Sequence, residues 1–208
     1  MKAQNVDIST LMFTEYVGSR NSRRIDIVKE QRSIHDAEDG VCRAFYQRMR
    51  DAMRRAANSP SPENELNTAI ARANRRGQER AFTEIKAGFL PWFSGLKASG
   101  VRTRPSVLTV GELDLKVQPH LGLRLPDGTT WVVLAYLKEP VLQLDAANIA
   151  LRILQRTVDE TLPGAVPVVL DARRGKPFFE SKRSRPDRLD PLIAAEAAGY
   201  VVHWRMAA

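Results

Sequence analysis

The chain has 208 residues, of which 43% are apolar and 27% charged, with one cysteine and a formal net charge of +8. This length suffices for one domain with a core and an appendage, or for two small domains. The composition excludes wholesale disorder, and the single cysteine, Cys42, excludes an internal disulfide framework and fits a reducing compartment. No apolar run reaches the ~18 residues that a membrane span needs, and the N-terminus has no signal-peptide or lipidation pattern. We therefore expect a cytoplasmic protein that does not enter membranes.

Positive charge is concentrated in the first half of the chain. Residues 1–105 hold 19 Lys and Arg against 12 Asp and Glu, whereas residues 106–208 hold 13 against 12. Most of the excess is arginine, which binds phosphates bidentately and stacks on bases. This favours a polyanionic partner, and a purely solubilising role for the arginines is an equally weighted alternative.

The first half predicts helices. In chain order, the expected elements are a loosely packed lead (1–20), two helices (21–35 and 40–57), a proline break (58–62), one long helix from Ser61 or Pro62 to Phe89, ended by 88–95, and a linker (97–105). On the long helix, Arg72, Arg76 and Arg80 are spaced four apart, which would align them on one face as a ladder open to solvent or a partner.

In the second half the apolar period changes from 3.6 to 2, which is typical of strands. The expected elements are three strands (107–117, 120–125 and 130–138), a helix (145–162), a buried parallel strand (166–170), a basic loop (172–187), a helix (190–198) and a final strand (200–204). This order predicts an α/β (α+β) fold with a helical N-terminal region, an αβββαβ mixed-sheet core and an added αβ unit. We expect a basic helical region over residues 1–60 and an α/β domain over residues 61–208.

Two residues stand at chemically suggestive places in this order. Asp114, in Gly111-Glu112-Leu113-Asp114, lies on the first strand, and Lys138 ends the strand over 131–138. Together with the αβββαβ order, they resemble the PD-(D/E)xK, or restriction-endonuclease-like, superfamily over roughly residues 62–171. The resemblance implies metal-dependent phosphodiester cleavage, in which Asp114 and a second acid bind Mg²⁺ and Lys138 helps to activate water. Tyr136 stands where the second acid is expected.

Three sources for the missing carboxylate stay open. Glu112 is on the same face as Asp114, Glu79 or Glu84 could reach over from the long helix, or Asp114-Leu115-Lys116 could itself be the acid-x-Lys pair. The resemblance thus implies Asp114, Lys138 and Glu112 as catalytic residues, with Asp114 as metal ligand and Mg²⁺ as cofactor if the site is active. The competing interpretation is that Asp114 and Lys116 are solvent-facing strand residues.

The segment Asp171-Ala172-Arg173-Arg174-Gly175-Lys176 follows the buried strand. Open α/β sheets bind ligands at such C-terminal strand ends. The expected phosphate-binding residues are therefore Arg72, Arg76, Arg80, Arg173, Arg174 and Lys176. The histidines His35, His120 and His203 have no metal-ligand spacing and are expected to be surface or core residues.

These observations predict a nucleic-acid-associated protein on a nuclease-like fold with a degenerate metal site. An active Mg²⁺-dependent nuclease is the first alternative. A non-enzymatic protein that binds a protein partner, or a second copy of itself, is the other.

Overall fold

The structure, a computed structural model, describes residues 5–36, 45–181 and 185–207; Cys42 and residues 40–44 of a predicted helix lie outside the described residues. The strands are β1 (Val6–Ser9), β2 (Ser99–Val101), β3 (Ser106–Val110), β4 (Leu113–Val117), β5 (Leu121–Arg124), β6 (Thr130–Tyr136), β7 (Val166–Asp171) and β8 (Lys176–Phe178). The α-helices are α1 (Thr10–Val17), α2 (Arg24–Asp36), α3 (Gln47–Ala56), α4 (Pro62–Ala71), α5 (Gln78–Leu96), α6 (Leu144–Arg156), α7 (Val158–Thr161) and α8 (Pro186–Met206). In this part of the chain no helix is long and apolar enough to cross a membrane.

The described strands form two sheets. One has the order β1-β4-β3, and the other has the order β2-β5-β6-β7-β8. In the five-stranded sheet β6 and β7 run parallel, whereas the other neighbours are antiparallel. The continuous apolar run at 166–170 predicts a parallel strand buried on both faces, and β7 confirms it.

Helices cover both faces of the five-stranded sheet. On one face, Val132 and Leu134 share an apolar cluster with residues of α1, α2, α6, α8 and the three-stranded sheet. On the other face, Val133 and Ala135 share a second cluster with residues of α3, α4 and α5. The α/β fold class is therefore confirmed, with the sheet as the central layer.

The prediction of a loosely packed lead over residues 1–20 is wrong for residues 5–20, which are the part that the structure describes. β1 pairs in parallel with β4, and Phe13 and Tyr16 of α1 are fully buried in the same cluster as Leu115 and Tyr200. The segment is too short for its periodicity to stand out, but its apolar side chains find their partners more than ninety residues away. The division of the chain into regions 1–60 and 61–208 stays a prediction. Residues of both regions share this core.

The prediction of a single long helix in the first half is also wrong. α4 ends at Ala71 and α5 begins at Gln78, with Gly77 between them in the left-handed region (φ 75°). Glycine adopts this backbone conformation without steric cost, so the chain turns there. The helix then continues past its predicted end, through Pro91, because Phe89 and Phe93 stack on each other in the core (ring centroids 5.5 Å apart). The helices predicted at 21–35 and 40–57 are confirmed, with different bounds, as α2 and α3 over the described residues.

The predicted strand over 107–117 is an antiparallel hairpin, β3–β4, that turns at Gly111 and Glu112. β4 and β5 then belong to different sheets, so the three predicted strands do not form one meander. The chain crosses between the sheets around Pro119, which has no backbone N–H to continue a ladder.

The final strand predicted at 200–204 is wrong, because α8 runs unbroken to Met206. Ile193, Ala197, Tyr200 and Val201 are buried at helical spacing, and this packing outweighs the strand propensity of Tyr and Val. Three smaller corrections complete the comparison: the linker at 97–105 contains β2, the basic loop at 172–187 contains β8, and the helix at 145–162 divides into α6 and α7.

Candidate nucleic-acid interface

Asp114 and Lys138 stand in different sheets. The Oδ1 of Asp114, on β4, accepts hydrogen bonds from Asn5 Nδ2 (3.1 Å) and Thr109 Oγ1 (2.7 Å). Lys138, just after β6, forms an ion pair with Glu15 of α1. The two residues share no hydrogen-bond partner in the described part of the chain. Each is held by its own neighbours.

Glu112 does not supply a second carboxylate beside Asp114 in this geometry. It lies in the β3–β4 turn, and its Oε1 accepts a hydrogen bond from Arg205 Nη2 of α8 (2.6 Å). The hydrogen bond and the charge of Arg205 lower the pKa of Glu112. Both side chains are at least half exposed, so the pair is a surface contact.

The Asp114-Leu115-Lys116 segment gains an acid that the sequence did not reveal. Asp7 on β1 is the register partner of Asp114, and its carboxylate forms an ion pair with Lys116. Alternation in the segment 6–9 was the available signal, but it covers only four residues. Asp7 and Asp114 are the carboxylates here that could contact a divalent cation. Within residues 5–36, 45–181 and 185–207 no group of three or more His, Cys, Asp or Glu could hold a metal ion.

The C-terminal ends of β6 and β7 carry a dense set of charges, which we call the paired edge (Tyr136, Lys138, Glu139, Asp171, Arg173, Arg174 and their partners Glu15, Arg80 and Glu84). Asp171 is 1% exposed and accepts hydrogen bonds from the backbone N–H of Leu142 (3.1 Å) and from Arg174 (3.3 Å). Tyr136 is the register partner of Asp171. Burial raises the pKa of the Tyr136 phenol, and the charges of Glu15 and Asp171 add to this effect, so Tyr136 stays neutral.

Arginines at the paired edge are occupied by protein groups. Arg173 donates to the carbonyl of Leu137 (2.8 Å) and to the hydroxyl of Tyr46 (3.3 Å), and it forms an ion pair with Glu84. Only 5% of its side chain is exposed. Arg80 bonds to Glu139 and faces Glu84. These contacts join α5 to the ends of β6 and β7 and enclose the Arg173 guanidinium, whereas the Arg80 side chain is paired but stays 67% exposed.

The helices do not align Arg72, Arg76 and Arg80 in one row. Arg72 caps the end of α4, Arg76 lies between α4 and α5, and the break at Gly77 separates both from Arg80, so the expected ladder is absent. Arg72 and Arg76 are exposed and have no ion pair with a described residue. Lys176 on β8 lies 5.0 Å from the ring centre of Phe178. Glu79 is exposed in the first turn of α5.

A second basic region, missed at the sequence level, surrounds a pocket of about 410 Å³. Its walls are the C-terminal end of α3, the β2–β3 connection and the β4–β5 connection. The charged side chains of the lining are all arginines, namely Arg54, Arg102 and Arg104. His120 is neutral, and the lining contains no Asp or Glu. We call it the arginine pocket. Arg102 and Arg104 are exposed and form no ion pair with a described residue. The sequence signal was Arg102-Thr103-Arg104-Pro105, which the linker interpretation passed over.

Arg54 and His120 line the arginine pocket and contact each other. Arg54 donates through Nε to the carbonyl of His120 (3.2 Å) and through Nη1 to Asp51 (3.0 Å), which leaves Nη2 available. The Nδ1 of His120 accepts a hydrogen bond from the backbone N–H of Ala135 (2.9 Å). Burial, with the nearby charges of Arg50 and Arg54, lowers the pKa of His120 to about 3. At neutral pH the imidazole is therefore uncharged and carries its proton on Nε2 as a donor.

The fold and the pocket together define a mixed α/β protein with an open cationic concavity. No protein-family model matches the sequence, and no curated protein matches it.

Proposed function

We propose that this protein binds nucleic acid through the arginine pocket and does not cleave it, on a scaffold that resembles PD-(D/E)xK nucleases. The supporting observation is the arginine pocket itself. It combines three guanidinium groups, of which two lack ion pairs, with a lining that contains no carboxylate. Such a cationic surface attracts polyanions.

The state of the predicted catalytic residues supports binding over cleavage. Lys138 is bound to Glu15, Glu112 is bound to Arg205, and Tyr136 stands in place of the second acid. Binding without chemistry needs none of these residues. A cytoplasmic location is part of the same proposal, because the single cysteine fits a reducing compartment.

A Mg²⁺-dependent nuclease is the second candidate, and one observation favours it. Asp7, Asp114 and Lys116 share the outer face of the three-stranded sheet, which gives two carboxylates and an ammonium group in neighbouring register. Mg²⁺ is commonly held by one or two carboxylates together with substrate phosphates. Lys116 competes for Asp7 in this arrangement, which is why we rank cleavage second.

The test uses the full chain and fluorescence anisotropy with labelled single-stranded and duplex oligonucleotides over a series of salt concentrations. We expect binding that weakens linearly in log[salt], and intact oligonucleotide after incubation with Mg²⁺ or Mn²⁺. Cleavage that disappears in Asp114→Asn and Asp7→Asn would replace the proposal by the nuclease. Absence of binding at low salt would reject both, and would leave a protein partner or a second copy of the chain as the remaining function.

A further inference from the structure

The chemistry of the arginine pocket points to a more specific ligand than nucleic acid in general. We propose that it binds a phosphomonoester, namely the phosphorylated end of a nucleic-acid strand. This phosphomonoester site deepens the proposed function and rests on it, because the nucleic-acid strand is taken as the source of the phosphate. A phosphomonoester carries a charge of about −1.5 to −2 at pH 7, against −1 for each internal phosphodiester.

The charge of the pocket suits a dianion. Arg102 and Arg104 project from the β2–β3 connection without carboxylate partners, and the Asp51 that shares Arg54 is outside the lining. Arginine forks match the oxygens of a terminal phosphate bidentately. An internal diester offers only two unesterified oxygens, and so it satisfies fewer of these donors.

Neutral donors complete the set. Asn58, Gln118 and His120 also belong to the lining, and the Nε2–H of His120 has no acceptor in the described part of the chain. The C-terminal end of α3 would oppose an anion if its last carbonyls were open. Most of them are occupied: the carbonyls of residues 53, 55, 56 and 57 accept hydrogen bonds from the N–H groups of Ala57, Asn58, Ser59 and Gly100.

The shape of the pocket restricts how nucleic acid enters. A volume of about 410 Å³ lies in the range of small-molecule sites, roughly 300–1,000 Å³. It admits a terminal nucleotide but not the width of a duplex. The lining contains no Phe, Tyr or Trp, so bases have no aromatic side chain to stack on, and recognition falls to the phosphate.

The walls are fixed before any ligand binds. Arg104 N–H donates to the carbonyl of Thr161 (2.9 Å), and Gly100 N–H donates to that of Ala57 (2.9 Å). Gly122 lets β2 approach β5 closely, since a Cβ there would lie 2.5 Å from the carbonyl oxygen of Val101. The backbone of the β2–β3 connection is therefore anchored at both ends, so the ordering cost of binding falls mainly on the side chains of Arg102 and Arg104.

The experiment compares four ligands by fluorescence anisotropy and competition: one single-stranded oligonucleotide with a 5′-phosphate, with a 3′-phosphate or with hydroxyl ends, and free nucleoside monophosphate. We expect the full chain to bind a phosphorylated end roughly tenfold more tightly than the hydroxyl form, because the terminal phosphate accepts charge-assisted hydrogen bonds that a hydroxyl end cannot accept. The Arg102→Ala/Arg104→Ala variant should lose this preference. The matched variant Arg72→Ala/Arg76→Ala removes the same charge outside the pocket and should keep the preference while weakening all oligonucleotides alike.

Each outcome separates the inference from the proposed function. Equal binding of phosphorylated and hydroxyl ends overturns the inference and leaves nucleic-acid binding intact. Binding of free monophosphate with no oligonucleotide binding overturns the proposed function and the strand as source, but keeps the phosphomonoester site. Thermal unfolding of both variants verifies folding, and Arg102→Lys/Arg104→Lys, which retains charge without the fork, should recover only part of the preference.

Discussion

Two arginine-rich regions of this protein differ in whether their charges are already used. At the paired edge, Arg80, Arg173 and Arg174 each contact a carboxylate, and Lys138 does the same. In the arginine pocket, Arg102 and Arg104 contact none within the described residues. The paired edge lies where open α/β sheets usually bind ligands, yet Arg80 and Arg173 pair α5 with the segments that follow β6 and β7, and Arg174 pairs with Asp171. The comparison shows that the availability of a positive charge, more than its count, indicates a binding surface.

The largest effect should come from breaking the paired edge. We expect Arg173→Ala to lower the free energy of unfolding by about 3 kcal/mol, because it removes a buried guanidinium that bonds Leu137, Tyr46 and Glu84. Urea denaturation measures it. Arg80→Ala is the matched control, since Arg80 also faces Glu84 but from the surface, and should cost only a few tenths of a kcal/mol. Equal effects of the two variants would contradict the structural role of Arg173.

The arginine pocket should dominate the salt dependence of binding. In Arg102→Ala/Arg104→Ala we expect the negative slope of log affinity against log[salt] for a single strand to become shallower by ~1.4, because two arginine–phosphate contacts are lost. Arg174→Ala removes a cation from the paired edge and should leave the slope unchanged. A drop of the same size in Arg174→Ala would show that the paired edge also meets the ligand.

His120 should make the fold sensitive to acid. Its folded-state pKa of about 3 lies below the unfolded value, so the unfolded chain takes up the proton first and stability falls as pH drops below about 6.5 towards 3. The expected loss from this residue is about 2 kcal/mol between pH 7 and pH 5. Urea denaturation of the wild-type protein at both pH values should show this loss of stability.

The control is His120→Asn, which keeps an acceptor for the N–H of Ala135 and cannot be protonated. The variant starts from a lower stability at pH 7 but should lose about 2 kcal/mol less on acidification. An identical pH dependence in both proteins would mean that His120 is not the neutral group described above.

Asp114→Asn should have the smallest effect. Its carboxylate bonds to Asn5 and Thr109 on a partly exposed face, and an amide oxygen can still accept one of these bonds. We expect a change in unfolding free energy within about 1 kcal/mol and an unchanged affinity for single strands. Anisotropy and urea denaturation measure both. A large loss of affinity would place the ligand on the three-stranded sheet instead of in the arginine pocket.

Strands with strong local signals could be predicted from the sequence. The apolar runs at 131–137 and 166–170 needed no distant information, because a strand buried on both faces is apolar at nearly every position. β1 could not be predicted, since four residues carry too little pattern and its partner is β4. The 200–204 segment misled because Tyr, Val and Trp favour strands locally, whereas burial along α8 follows a helical period.

The arginine pocket was not predicted from the sequence. Lys138 and the 171–176 segment, which were separate candidates, lie at neighbouring strand ends because β6 and β7 run parallel. Asp7 was missed because it approaches Lys116 only through strand pairing. Arg102 and Arg104 were missed because a short basic segment before a proline reads as a linker until its neighbours are known.

The sequence by itself determined the basic character of the chain, its excess of arginine before residue 106 and its α/β class, because composition and short-range periodicity are local properties. Only the tertiary structure decided which cations are free. Glu84 reaches Arg173 across 89 positions, and Glu15 reaches Lys138 across 123. An ion pair depends on distance in space, and over such separations only the folded chain sets that distance.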